Sequence, residues 1–90
     1  MAFTKDEAVV AARKDLAQRL GVSEANIKDS VEDADFPDMA LGAATDGEMS
    51  GQMITPGWRI RLKADGKSFE YRANKNQVRL VNYKGRNYRI

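Results

Sequence analysis

Apolar residues first recur at three- and four-residue steps, at Ala8, Val9, Ala12, Leu16 and Leu20. That spacing is one stripe of an amphipathic helix, expected over residues 4–20. Lys5, Arg13, Lys14 and Gln18 fall largely outside the stripe. Thr4 and Glu7 stand in capping-box spacing, so hydroxyl and carboxylate can satisfy each other's backbone N–H. Gly21 suits a left-handed C-terminal cap, and Val22 can fold back onto the last turn. Ser23 offers a second N-cap for one short turn, Glu24–Asn26.

The period then changes from about 3.6 to 2. Residues 27–34 place Ile27 and Val31 on one face of a strand, but Asp29 and Asp33 fall there too. Such charges suit an edge strand. Phe36 is expected as a core anchor, and Pro37 ends the element. Residues 36–55 read as a loop, with Gly42, Gly47 and Gly51 among small polar residues. A loop this long in a compact domain is more often functional or mobile than ordinary connections. Thr55-Pro56-Gly57 is expected to form a turn.

Two segments follow, 57–64 and 67–73, joined at Asp65-Gly66, a type I′ hairpin signal. This register pairs Leu62 with Phe69, Ile60 with Tyr71 and Trp58 with Ala73 on one face. Arg61 then meets Glu70, and Arg59 meets Arg72, on the other. A turn at Lys75-Asn76 adds a strand over 77–83, with Tyr71 opposite Leu80 and Ala73 opposite Val78. Lys84-Gly85 leads to a last strand over 87–90. A three-residue loop there sets Ile90 inward beside Leu80; a two-residue loop does not. The fold expected is α+β: one N-terminal helix packed on a three- to four-stranded antiparallel sheet.

Ninety residues make one domain with a small core. No cysteine or histidine is present, which excludes disulfides, thiol nucleophiles, imidazole bases and Cys/His zinc sites. No segment approaches a membrane span, and the first residues carry no leader signature. The net charge of +2 hides an asymmetry. Residues 1–50 hold 5 Lys/Arg and 11 Asp/Glu, while residues 51–90 hold 10 and 2. This split means either a basic binding face or an acidic half folded over a basic one.

The expected register turns Arg59, Arg61, Lys63, Arg72 and Arg79 away from the helix. Lys84, Arg86 and Arg89 extend that patch, with Tyr83 and Tyr88 interleaved. Arg59, Arg61, Lys63, Arg72, Arg79 and Arg86 are therefore the candidate binding face, with phosphates and bases as one possible ligand class. Asp38, Met39, Asp46, Met49 and Met53 are the candidate binding loop. Asp33, Asp35 and Asp38 could hold calcium, but their spacing is not that of an EF-hand. The alternatives are a solvated acidic edge, with Asp38 capping a local turn. Ser23, Ser30, Ser50 and Ser68 have no base in catalytic spacing, and the glycines form no phosphate loop. No catalytic residue, metal or cofactor is assigned.

A resemblance rests on specific residues: Asp15-Leu16-Ala17-Gln18-Arg19-Leu20-Gly21-Val22, Phe36-Pro37-Asp38, Leu41-Gly42, Thr55-Pro56-Gly57-Trp58-Arg59-Ile60 and Phe69-Glu70-Tyr71. Over about residues 8–81 the chain resembles a group of small bacterial domains carrying a DLAxRLG helix, a WPD…LG loop and a TPGxxI…YxY hairpin. Their outline is similar to PepSY domains, a helix on an antiparallel sheet associated with peptidase propeptides. Phe36 stands where that pattern has Trp, and Ala43 where a cysteine commonly follows Leu-Gly. The tail 82–90 extends past the pattern. The resemblance suggests export, while the sequence as given is compatible with the cytoplasm too, and it supports the fold more than any activity, with no catalytic residue to carry over. Together with the long loop and the lack of catalytic machinery it leads to the expectation of a non-enzymatic protein-binding module, peptidase-inhibitory or propeptide-like. The alternatives are nucleic-acid binding through the basic face and a structural part of a larger assembly.

Overall fold

The computed structural model describes residues 2–90. A helix, α1 (Lys5–Leu20), and a short 3-10 turn (Glu24–Asn26) precede five strands. These are β1 (Lys28–Phe36), β2 (Thr55–Ala64), β3 (Lys67–Asn74), β4 (Gln77–Tyr83) and β5 (Arg86–Arg89). They form one antiparallel sheet in the order β1-β2-β3-β4-β5. The fold is α+β, with five strands rather than three or four. No helix among the described residues is long and apolar enough to cross a membrane.

Both ends of α1 are fixed locally. The Thr4 hydroxyl accepts from the Glu7 N–H and the Glu7 carboxylate from the Thr4 N–H. Gly21 takes the left-handed conformation and donates to the Ala17 carbonyl, which satisfies one of the carbonyls a helix end leaves open. The buried stripe is Ala8, Ala12, Leu16 and Ala17. Its small residues let the helix lie close on Ile60, Leu62, Tyr71, Ala73, Val78 and Leu80, all buried.

The hairpin registers agree with the alternation of the sequence. Ile60 faces Tyr71, Leu62 faces Phe69, and Tyr71 faces Leu80. The aspartates on the apolar side of β1 have partners on the helix. Lys5 reaches Asp33, and Arg13 reaches Asp29, each at 2.7 Å. Arg13 also donates to the Ile27 and Glu24 carbonyls, so one guanidinium ties the helix to the turn and to the start of β1.

Two expectations are corrected here. Thr55-Pro56-Gly57 is not a turn but the start of β2, paired with Phe36, Asp35 and Ala34. The β2–β3 ladder begins only at Trp58 and Ala73, so the N–H missing from Pro56 leaves no gap in it. Gly57 is there for close approach: a Cβ would stand 2.3 Å from the Ala73 carbonyl oxygen and 3.2 Å from the Phe36 ring.

The second correction concerns the tail. Lys84-Gly85 forms a two-residue turn, yet the register shifts between Leu80 and Tyr83, and Asn82 has φ of 51°. This bulge reverses the alternation. Tyr83 and Tyr88 therefore pack against the helix-side core, and Tyr88, not Ile90, faces Leu80. The Arg19 guanidinium lies 4.6 Å from the Tyr88 ring centroid, within cation–π range. Arg19 also binds Asp15 at 2.7 Å, and the Tyr71 hydroxyl donates to the same carboxylate at 2.8 Å. Burial, reinforced by that hydrogen bond, raises the Tyr71 phenol far above its ordinary pKa, so it remains a donor throughout the physiological range.

Candidate functional site

Residues 37–54 leave β1 and return to β2 at directly paired positions, Phe36 and Thr55. This closed loop folds back over the sheet face opposite α1. Its own turns come first. One Asp38 carboxylate oxygen accepts from the Ala40 and Gly42 N–H groups, each at 2.9 Å. Leu41 and Gly42 both take positive φ, which turns the carbonyls of both toward β3. Thr45 and Glu48 repeat capping-box spacing, with Thr45 N–H and hydroxyl donating to the Glu48 carboxylate. The Met39 N–H donates to the Gly51 carbonyl at 2.9 Å and joins the two legs of the loop.

Three strands then hold the loop down. From β3, Arg72 donates to the Leu41 and Gly42 carbonyls at 3.0 and 3.2 Å. From β4, Gln77 donates to the Met39 carbonyl at 2.7 Å. Arg79 forks onto both Glu48 oxygens at 2.6 and 2.7 Å and reaches the Ala43 carbonyl at 3.2 Å. From β5, Asn87 donates to the Ala44 carbonyl at 2.9 Å. Phe36, Ala40, Leu41 and Ala43 are buried. The Arg59 and Arg72 guanidiniums lie 5.7 and 5.3 Å from the Phe36 ring centroid.

The candidate basic face is thereby divided. Arg79 is 2% exposed and cannot serve an outside partner. Arg72 is occupied by loop carbonyls and by Glu70 at 2.6 Å. Arg59 lies between Glu32 at 3.3 Å and Glu70 at 3.5 Å. Arg86 faces Tyr83, so the bulge moves it to the helix side. Of the six candidate cations, Arg61 and Lys63 stay open on the predicted face, where Arg89, opposite Arg79, is exposed as well. Part of the charge asymmetry is thus internal: Glu48 neutralises Arg79, and loop carbonyls accept from Arg72 and Arg79.

The candidate loop is divided in the same way. Asp38 turns inward as a cap, while Asp46 is exposed. Met39, Met49 and Met53 point outward at 51%, 96% and 65% exposure. Ile54, which sequence reasoning passed over, joins them at 71%. Met39, Met53, Ile54 and Trp58 line an open groove of about 700 Å³, with Asp35 and Lys75 on its rim. Gln77, Glu48 and Asn87 were also missed. For Glu48 the signal was present in the Thr45-x-x-Glu48 spacing. Among the described residues, no group of three Asp or Glu side chains comes together to hold a metal.

The family model described as "Domain of unknown function (DUF8738)" matches residues 9–81, most of the chain. The chain belongs to this family. The DUF8738 span runs from the first turns of α1 to Val81 and includes the whole loop. It stops one residue before the Asn82 bulge, so β5 and its Asn87 contact lie outside it. No curated protein and no solved structure matches the chain.

Proposed function

We propose that the chain is a non-enzymatic protein-binding module whose contact surface is the loop rim of Met39, Met49, Met53 and Ile54. The observation carrying this reading is that a loop fixed by three strands holds four large apolar side chains out in solvent. Exposed apolar clusters of this kind mark interaction surfaces, and methionine adapts its shape to a partner. The chain has no histidine or cysteine, and the loop carboxylates Asp38 and Glu48 are engaged in capping and pairing. A peptidase is the first partner class to test, because the PepSY-like outline is associated with propeptides. The rim would enter the partner's cleft, with the free edge of β1 available for strand addition. A nucleic-acid interface has less support, since Arg59, Arg72, Arg79 and Arg86 are paired, buried or turned away.

The test compares wild type with the triple substitution Met49→Ser, Met53→Ser, Ile54→Ser, whose exposed sites leave stability within about 0.5 kcal/mol. Affinity capture from host lysate should retain a protein that the variant loses, and a peptidase panel should show inhibition by wild type alone. Equal retention by both proteins, or no retention together with full peptidase activity, contradicts the reading.

A further inference from the structure

The loop covers one half of the outer sheet face and leaves the other half bare. On the bare half, register brings Lys28 of β1 directly opposite Lys63 of β2, and Ser30 opposite Arg61. Lys63 also faces Ser68 of β3. All five side chains are exposed and line one shallow hollow of about 290 Å³. Like charges set directly opposite each other in a sheet are destabilising. Among the described residues neither lysine enters an ion pair, and the one contact of Arg61 is Glu32 at 3.7 Å. Asp29 also lines the hollow, but its carboxylate is held by Arg13 at 2.7 Å, and Glu70 is taken by Arg72 at 2.6 Å and Arg59 at 3.5 Å. The Ser30 and Ser68 hydroxyls have no side-chain hydrogen bond among the described residues.

We infer that Lys28, Arg61 and Lys63, with the Ser30 and Ser68 hydroxyls, form a binding site for a phosphate dianion, free or as a phosphomonoester. The dianion supplies the counter-charge that the fold withholds from two ammonium groups and a guanidinium, through charge-assisted hydrogen bonds. The two hydroxyls add neutral donors for the remaining oxygens. No aromatic ring lines the hollow, so the site has no platform for stacking bases, unlike single-strand binders. The inference does not depend on the methionine rim, which lies elsewhere on the molecule.

The test follows amide shifts of the whole chain during titration with inorganic phosphate and, in parallel, with phosphoserine. Ionic strength is held constant with sodium chloride, at pH 8. Saturable shifts confined to Lys28, Ser30, Arg61, Lys63 and Ser68 are expected in both arms if phosphomonoesters are accepted. Saturation by inorganic phosphate alone restricts the ligand to the free ion and still supports the site. The double substitution Lys28→Gln, Lys63→Gln should weaken binding about tenfold. Because it relieves the repulsion, it should also raise Tm at low salt without phosphate and abolish any phosphate-dependent rise in Tm. Binding should weaken at pH 5.5, where phosphate has lost its second charge. Linear shifts without saturation in both arms, shifts matched by chloride alone, or a lower Tm of the double variant at low salt would overturn the assignment. So would saturable binding by a phosphodiester oligonucleotide with none by phosphate.

Discussion

Glu48→Ala is expected to destabilise the protein by about 3 kcal/mol, because it strands a buried guanidinium. Arg79 lies at 2% exposure, and its fork closes on Glu48. With the carboxylate gone, the Ala43 carbonyl and the Gln77 side chain remain as acceptors, and neither carries charge. Replacing both partners, as Glu48→Leu with Arg79→Leu, should cost clearly less than Glu48→Ala alone, since no buried charge is left behind. The pH dependence follows from the same pair. The hydrogen bonds from Arg79, then from the Thr45 N–H, hold the Glu48 carboxyl at about 2, against 4.5 ordinarily, with burial opposing. A carboxyl lowered on folding contributes stability above its unfolded value and loses it as pH falls toward the folded one. Wild type should therefore lose this contribution between about pH 4.5 and 2, and Glu48→Gln should show no such loss at this site. Denaturant unfolding across that range, read through Trp58 fluorescence, checks both. A cost for Glu48→Ala below about 0.5 kcal/mol, an ordinary surface change, would contradict the pairing.

Gly57→Ala is expected to cost about 2–3 kcal/mol by overpacking. The new methyl group would meet the Ala73 carbonyl oxygen at 2.3 Å, and that oxygen belongs to the β3 backbone and cannot swing aside. It would also press on the Phe36 ring at 3.2 Å. Gly51→Ala is the control. Its methyl would meet the Met39 sulfur at 2.7 Å, the far end of a flexible side chain that is already half exposed. Thermal unfolding should show Gly57→Ala lower in Tm by about 10–20 °C, with Gly51→Ala close to wild type. Equal Tm values for the two would mean that β2 does not approach β3 as closely as described.

Much of the fold was legible because alternation and register reinforce each other. Once Asp65-Gly66 is taken as the hairpin tip, every apolar pair from Trp58–Ala73 to Leu62–Phe69 follows. The Asn82 bulge was not legible, because Val81-Asn82-Tyr83 offers no glycine to mark the positive φ. That single residue sent Tyr83, Tyr88 and Arg86 to the opposite face from the one expected. Thr55-Pro56-Gly57 misled for the reverse reason: its local turn signal is strong, yet pairing with β1 overrides it.

The candidate site was half legible. The choice between a covered and an open arginine face was visible in the charge split, but its outcome was not. Arg72 is held by the Leu41 and Gly42 carbonyls, and a carbonyl carries no side-chain signature. The outcome also differs along the face: the loop reaches Arg72 and Arg79 and leaves Arg61 and Lys63 bare.

The central claim is that residues 37–54 are a fixed second cover on the sheet, and amide hydrogen exchange tests it residue by residue. Met39, Ala40, Gly42, Ala43, Thr45 and Glu48 each donate a backbone hydrogen bond. Their amides should exchange measurably slower than unstructured peptide, and Glu48→Ala should remove the protection of Ala43 to Glu48 first. Exchange of all six at the unprotected rate in wild type would contradict the account.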